Sequence, residues 1–92
     1  MTKSEERKGS RYQLRSAAGS FWILDMRQEG VPYRKPLAVN EVGADIWKLL
    51  EQQKGEEEIA DILCRKYRAD REEVRRDIVQ FQRDLRGNGI SI

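Results

Sequence analysis

The side chains best placed to bind another molecule lie on one flank of a predicted helix near the end of the chain. At about 100° per residue, Val79 points roughly 100° away from Ile78, which belongs to the predicted buried face. Val79 shares its flank with Arg75, Gln82 and Arg86. This group has two interpretations: a single exposed valine, which is common on protein surfaces, or the apolar floor of a groove with a basic and amide rim.

No set of residues typical of catalysis or metal binding accompanies this group. The chain contains no histidine, and Cys64 is its only cysteine. The commonest general base is therefore missing, and neither a zinc site, an iron–sulfur site nor an internal disulfide is expected. The sequence also lacks phosphate-binding glycine loops, nucleophile elbows and dinucleotide fingerprints. We therefore predict a protein that is not an enzyme and that uses no cofactor and no metal.

Charge and hydropathy argue against two further classes of protein. The 92 residues include 18 Lys and Arg and 16 Asp and Glu, which is far from the concentrated basic patch of a dedicated nucleic-acid binder. No run approaches the roughly 20 apolar residues of a membrane helix, and the polar segment 1–10 does not resemble a signal peptide. We expect a cytoplasmic protein without nucleic-acid or membrane partners.

The chain should have a disordered tail at residues 1–10 and a single domain at residues 11–92.

Three strands are predicted before Asn40. Residues 12–15 alternate apolar and polar side chains, and residues 21–26, rich in aromatic and branched types, should form the central strand. A third strand is predicted over residues 33–39. Pro36 lies inside that segment and requires an edge position, because proline cannot donate to a ladder. An open edge can capture a peptide by strand addition.

Three helices are predicted after Asn40, whose side chain is a strong N-cap. The first covers residues 41–53 and the second residues 56–67. The third begins at Asp70, where Glu73 would complete a capping-box pattern. Together with the strands, these helices predict an α+β, winged-helix-like fold, in which a three-stranded antiparallel sheet is followed by three helices. The predicted buried face of the third helix is Val74, Ile78, Phe81 and Leu85.

The ordered set of motifs resembles the PqqD-like family of small peptide chaperones, which are also called RiPP recognition elements. The resemblance covers residues 12–92 and is most specific from Val39 onward. The matching segments are LAVN at 37–40, GADIWKLL at 43–50, EEIADIL at 57–63, RDIVQF at 76–81 and GI at 89–90.

The resemblance implies a function that composition does not. Proteins of this family bind the leader segment of a ribosomally synthesised precursor peptide and present its core segment to a modifying enzyme, such as a radical-SAM enzyme, a peptidase or a cyclase. They hold the leader as an added strand on the third strand, in the cleft against the third helix. Arg75 and Arg86 then predict a leader with acidic residues. The predicted peptide-binding residues are Tyr33, Arg34, Lys35, Leu37, Ala38, Val39, Arg75, Ile78, Val79, Gln82 and Arg86.

The sequence leaves alternatives open. A winged-helix DNA-binding regulator would have a similar architecture, and the predicted third helix carries five arginines. It also carries four carboxylates, which repel phosphates. A protein adaptor that binds no leader is a further alternative. A homodimer is compatible with each of them, because an unpaired sheet edge permits self-association.

Overall fold

A computed structural model of the chain describes residues 11–26 and 35–90. The described residues divide into two compact units, a sheet unit that ends at Glu41 and a helical unit that begins at Val42. The predicted α+β class, with three antiparallel strands followed by three helices, is confirmed. The elements are β1 (Tyr12–Ala17), β2 (Ser20–Asp25), β3 (Leu37–Val39), α1 (Glu41–Glu51), α2 (Glu56–Tyr67) and α3 (Arg71–Gly87).

Two predictions about the whole chain stay predictions. The tail at residues 1–10 lies outside the described residues, and the single domain over residues 11–92 is not tested by the two units. Within the described ranges, none of the helices has the length and apolar character needed to cross a bilayer.

The sheet is an antiparallel meander with β2 in the centre, as predicted. β2 pairs with β1 along its whole length and with β3 through Phe21, Trp22 and Ile23. This register places Ile23 opposite Leu14 on one side and Leu37 on the other. Successive side chains alternate between the faces of a sheet, so Trp22 points away from this group. Ile23 is 1% exposed, which identifies its face as the buried one.

β3 is shorter than predicted. The strand begins at Leu37, and the described residues Lys35 and Pro36 precede it. The prediction that Pro36 lies inside the strand is therefore wrong, whereas the edge position inferred from it is right. The physical reason is that proline has no N–H to donate, so the ladder begins after it.

β1 and β2 both extend further towards each other than the predicted strands 12–15 and 21–26, so a short turn joins them. Ala18 and Gly19 form the turn, with φ angles of 52° and 83°. Two successive positive φ angles are typical of the type I′ hairpin, whose twist matches that of the flanking strands. Gly19 adopts this conformation freely, whereas the Cβ of Ala18 makes it unfavourable.

α2 has the predicted bounds, and the other two helices differ by one or two residues. α1 ends at Glu51 because Gln52 and Gln53 form a turn in which Gln53 has a φ of 63°. Asp70 precedes α3 as its N-cap, but its side chain makes no capping hydrogen bond. The predicted side-chain cap at Asp70 is therefore wrong. The predicted buried stripe of α3 is confirmed at Val74, Ile78, Phe81 and Leu85.

α3 ends in a turn that closes its last carbonyls. Gly89 has a φ of 73°, and its N–H donates to the carbonyl of Arg86 at 3.0 Å. The N–H of Ile90 donates to the carbonyl of Leu85 at 2.9 Å. These two bonds form a Schellman motif, which satisfies carbonyls of the last helical turn. Ile90 is buried, so the chain folds back at this point as expected.

The β1–β2 turn provides a stability test. We expect Ala18→Asn to raise the free energy of unfolding by about 0.5–1 kcal/mol, because asparagine tolerates a positive φ better than alanine. Ala17→Asn is the matched control, since the same change one residue earlier lies in β1, where asparagine is unfavourable. Urea unfolding measures both variants. Equal changes in the two would contradict a role for the φ angle of Ala18.

Candidate functional site

The sheet unit presents β3 as an open edge. Among the described strands, β3 pairs with β2 on one side only. Leu37 and Val39 are half-buried, whereas Ala38 between them is exposed. The backbone groups of β3 that point away from β2 can pair with a further strand.

The helical unit presents the predicted flank of α3. Val79 is 40% exposed, and Arg75 and Arg86 are exposed on the same helix. Gln82 is half-buried. Ile78 has no exposed surface and lies in the core, and its assignment to the binding site stays a prediction.

The predicted site residues thus belong to separate parts of the chain. Tyr33 and Arg34 lie outside the described residues, and Lys35 is exposed just before β3. The expected cleft that would join the edge of β3 to the flank of α3 stays a prediction. The remaining predicted residues lie on β3 (Leu37, Ala38, Val39) and on α3 (Arg75, Ile78, Val79, Gln82, Arg86).

Two of the arginines on α3 are paired with carboxylates of α2. Arg71 donates to Asp61 at 2.7 Å and to Glu57 at 2.9 Å. Arg75 donates to the other oxygen of Glu57 at 2.6 Å. The hydrogen bond from Arg71 is the main cause of a lowered pKa at Glu57; desolvation opposes it, and the charge of Arg75 reinforces it. Sequence reasoning missed this network, because Glu57 and Arg75 lie 18 residues apart.

The guanidinium groups of the other three arginines on α3 make no ion pair or hydrogen bond within the described ranges 11–26 and 35–90. These residues are Arg76, Arg83 and Arg86, and all three are exposed. The ion pairs therefore separate the five arginines of α3 into a neutralised pair near its start and three cations further along that have no ion-pair partner among the described residues. Arg75, which the sequence placed in the candidate site, belongs to the neutralised pair.

The charges on the exposed surface of α3 are segregated. At about 100° per residue, Arg76, Arg83 and Arg86 fall on the same side of the helix as Val79. We call these four residues the basic flank. Glu72, in the first turn, is the carboxylate on this side. The opposite side, which we call the acidic flank, carries Glu73, Asp77 and Asp84.

A second cluster of titratable groups joins α1 to the end of α2. The Asp45 carboxylate accepts hydrogen bonds from the ammonium of Lys66, at 2.8 Å, and from the hydroxyl of Tyr67. Its side chain is 14% exposed. Burial raises the pKa of Asp45, but the two hydrogen bonds and the charges of Lys66 and Lys48 outweigh this effect and lower it. A carboxylate held in its ionised form suits a structural role better than that of a general acid.

Metal binding finds no support in either described range. No three Asp, Glu, Cys or His side chains come together there as a metal site requires. The thiol of Cys64 is half-buried on α2.

The Asp45 cluster predicts a pH dependence of stability. The pKa of Asp45 is lowered on folding from 3.8, so its contribution is present above that value and lost as the pH falls through the lower folded value. We expect Asp45→Asn to reduce the free energy of unfolding by about 1–2 kcal/mol near neutral pH, because it removes charge-assisted hydrogen bonds.

The difference between wild type and Asp45→Asn should narrow in urea titrations carried out below the lowered pKa of Asp45. Asp77→Asn is the control, because Asp77 is exposed on α3, where such changes usually alter stability by less than about 0.5 kcal/mol. A difference between wild type and Asp45→Asn that persists unchanged in acid would contradict the assigned role of the carboxylate.

Comparison with known proteins adds two findings. The sequence profile of the family described as "Coenzyme PQQ synthesis protein D (PqqD)" matches residues 23–90, from within β2 to the end of the described chain. The fold is similar to that of TbiB1 in complex with the TbiA(beta) leader peptide, with a TM-score of 0.68, 29% sequence identity and coverage of 87% of each chain. A search of curated proteins gives no significant match.

Proposed function

The chain belongs to the PqqD family, and from this premise we propose that it binds the leader segment of a ribosomally synthesised precursor peptide and presents the core segment to a modifying enzyme. The observation that carries the proposal is the similarity to TbiB1, whose structure contains a bound leader peptide. The chain is similar to this protein in sequence as well as in fold, so the comparison bears on the ligand and not on the architecture alone.

In the proposed complex the leader pairs with β3 as a fourth strand of the sheet. β3 is an edge strand, and its central residue, Ala38, is exposed. Strand addition uses main-chain hydrogen bonds, which give affinity without requiring a particular side chain at every leader position. Specificity then depends on side-chain contacts, for which exposed residues of α3 such as Val79 are the candidates.

In this proposed function the protein acts through proximity and performs no chemistry of its own. A bound leader tethers the core segment close to the enzyme, which raises the effective concentration of the core to the order of millimolar for a short flexible linker. The partner is a maturation enzyme such as a radical-SAM enzyme, a peptidase or a cyclase. The complex forms in the cytoplasm, where the precursor is synthesised. A homodimer formed through β3 would compete with the leader for the same edge.

The charge pattern of α3 favours a peptide over duplex DNA. A helix in the major groove lies between two phosphate backbones, which approach it from both sides. The acidic flank of α3 would repel one of them. An extended peptide can contact the basic flank alone. The winged-helix regulator therefore has less support from α3 than a peptide-binding protein.

Strand addition can be tested with a leader peptide methylated at one backbone nitrogen at a time. The probe is a synthetic, fluorescein-labelled peptide that covers the N-terminal segment of any short peptide encoded by an open reading frame beside the gene of this protein. Because only alternate leader amides point towards β3, methylation should weaken binding at every second position, by about tenfold each. Amide exchange should slow at Leu37–Val39 and not along β1, the other edge of the sheet. Equal losses at consecutive positions would contradict strand addition.

The contribution of α3 can be tested separately with Val79→Asp. We expect a loss of about 1–3 kcal/mol in leader binding, roughly 5- to 150-fold in Kd, because a charge replaces an exposed apolar contact. Gln52→Asp is the control, since it adds the same charge at an exposed position outside α3. Circular dichroism must show that both variants remain folded. Equal losses in the two would exclude a specific contact at Val79.

A further inference from the structure

Three arginines of α3 that have no ion-pair partner among the described residues indicate the chemistry of the leader that can bind there. We propose that the basic flank, formed by Arg76, Val79, Arg83 and Arg86, determines specificity by selecting a leader segment in which acidic residues lie on either side of an apolar residue. This inference rests on the proposed function, because it concerns the chemistry of the same ligand. Arg76, Arg83 and Arg86 recognise the negative charges of the leader, and Arg75 contributes less to this recognition.

The ion pairs decide which arginines are available. Glu57 lies 2.6 Å from the guanidinium of Arg75, so a second carboxylate approaching Arg75 would be repelled by Glu57 or would have to displace it. Arg83 and Arg86 have no such carboxylate partner among the described residues, and an incoming carboxylate meets an uncompensated charge. Arginines with the same formal charge on one helix therefore differ in how favourably they can bind a carboxylate of the ligand.

The spacing along the helix determines the ligand pattern. Arg76 and Arg83 are separated by seven residues, which is about 10 Å at 1.5 Å per residue, and Val79 lies between them. An extended peptide advances about 3.3 Å per residue, and every second side chain points to the same side. Two acidic residues of the peptide that are four positions apart, with an apolar residue midway, are separated by about 13 Å. Because arginine side chains are long, Arg76 and Arg83 can reach both of them.

The remaining carboxylates of α3 restrict where such a segment can lie. The acidic flank repels an acidic leader from the other side of the helix. Glu72 also repels an acidic leader at the first turn of the basic flank. The favourable position for the bound leader is therefore along the stretch from Arg76 to Arg86. The segregation of charge thus positions the ligand as well as attracting it.

The test compares the same fluorescein-labelled leader peptide on wild type and on the double variant Arg83→Gln/Arg86→Gln. Glutamine removes the charge and keeps a similar helix propensity, so α3 should remain intact. We expect Kd to rise about tenfold at low salt, and the dependence of Kd on salt to become weaker. Arg75→Gln should cause a smaller loss than Arg86→Gln. Arg65→Gln is the matched control, because it removes the same charge from an exposed position on α2.

A second peptide, with the acidic residues of the leader replaced by their amides, completes a double-mutant cycle. This peptide should bind wild type about tenfold more weakly than the parent leader, and the double variant, which keeps only Arg76 of the basic flank, should discriminate much less between the two peptides. If the parent leader binds wild type and every variant equally, leader binding stands and the basic flank is excluded as the specificity surface.

Failure of the proposed function would give a different result from failure of the inference about the basic flank alone. Wild type that binds neither peptide would overturn the proposed function and the inference together. Duplex DNA that displaces the leader, with the same dependence on Arg83 and Arg86, would assign the basic flank to nucleic acid instead. A leader that binds wild type but contains no acidic residue would overturn the inference alone.

Discussion

The backbone of β3 sets the main physical constraint on this protein, because its outer N–H and C=O groups have no partner strand among the described residues. Backbone polar groups are strong donors and acceptors, and an open edge attracts any chain that can pair with it. The edge here is short, only Leu37–Val39, and the described residue that precedes it is a proline. Short edges and prolines both limit uncontrolled pairing between copies of a protein. The features that permit strand addition thus also restrain aggregation.

α3 meets a different constraint, since one helix must supply both a core and a recognition surface. Its buried stripe consists of apolar residues alone, and its exposed surface divides into a basic and an acidic flank. The two arginines nearest its start are bound to α2 through Glu57 and Asp61. Exposed ion pairs of this kind contribute little to stability. In the proposed complex their larger effect is on recognition, because they neutralise two positive charges on the helix that would contact the leader.

The proposed complex uses the two units for different purposes. Main-chain pairing at β3 tolerates many sequences, and the side chains of α3 can discriminate among them. The titratable cluster around Asp45 lies on α1 and α2 and holds helices together. In the proposed complex, affinity, discrimination and stability thus depend on different groups, and each can be altered by substitution without necessarily changing the other two.

The amino-acid sequence by itself determined the elements of this protein and their order. The bounds of α2, the buried stripe of α3 and the central position of β2 all follow from periodicity and from stop signals, which act over three or four residues. Val79 was recognisable as an exposed apolar residue for the same reason, because its angle from Ile78 depends on helix geometry alone.

Only the tertiary structure decided which charges are available. Arg75 and Arg86 are equivalent in the sequence pattern, but Glu57, 18 residues before Arg75, neutralises one of them. Asp45 finds its partners 21 and 22 residues away. Pairings of this kind depend on the distance and rotation between two packed helices, which no local pattern specifies. The positive φ of Ala18 was likewise decided by strand pairing, since register is a property of two strands and not of one.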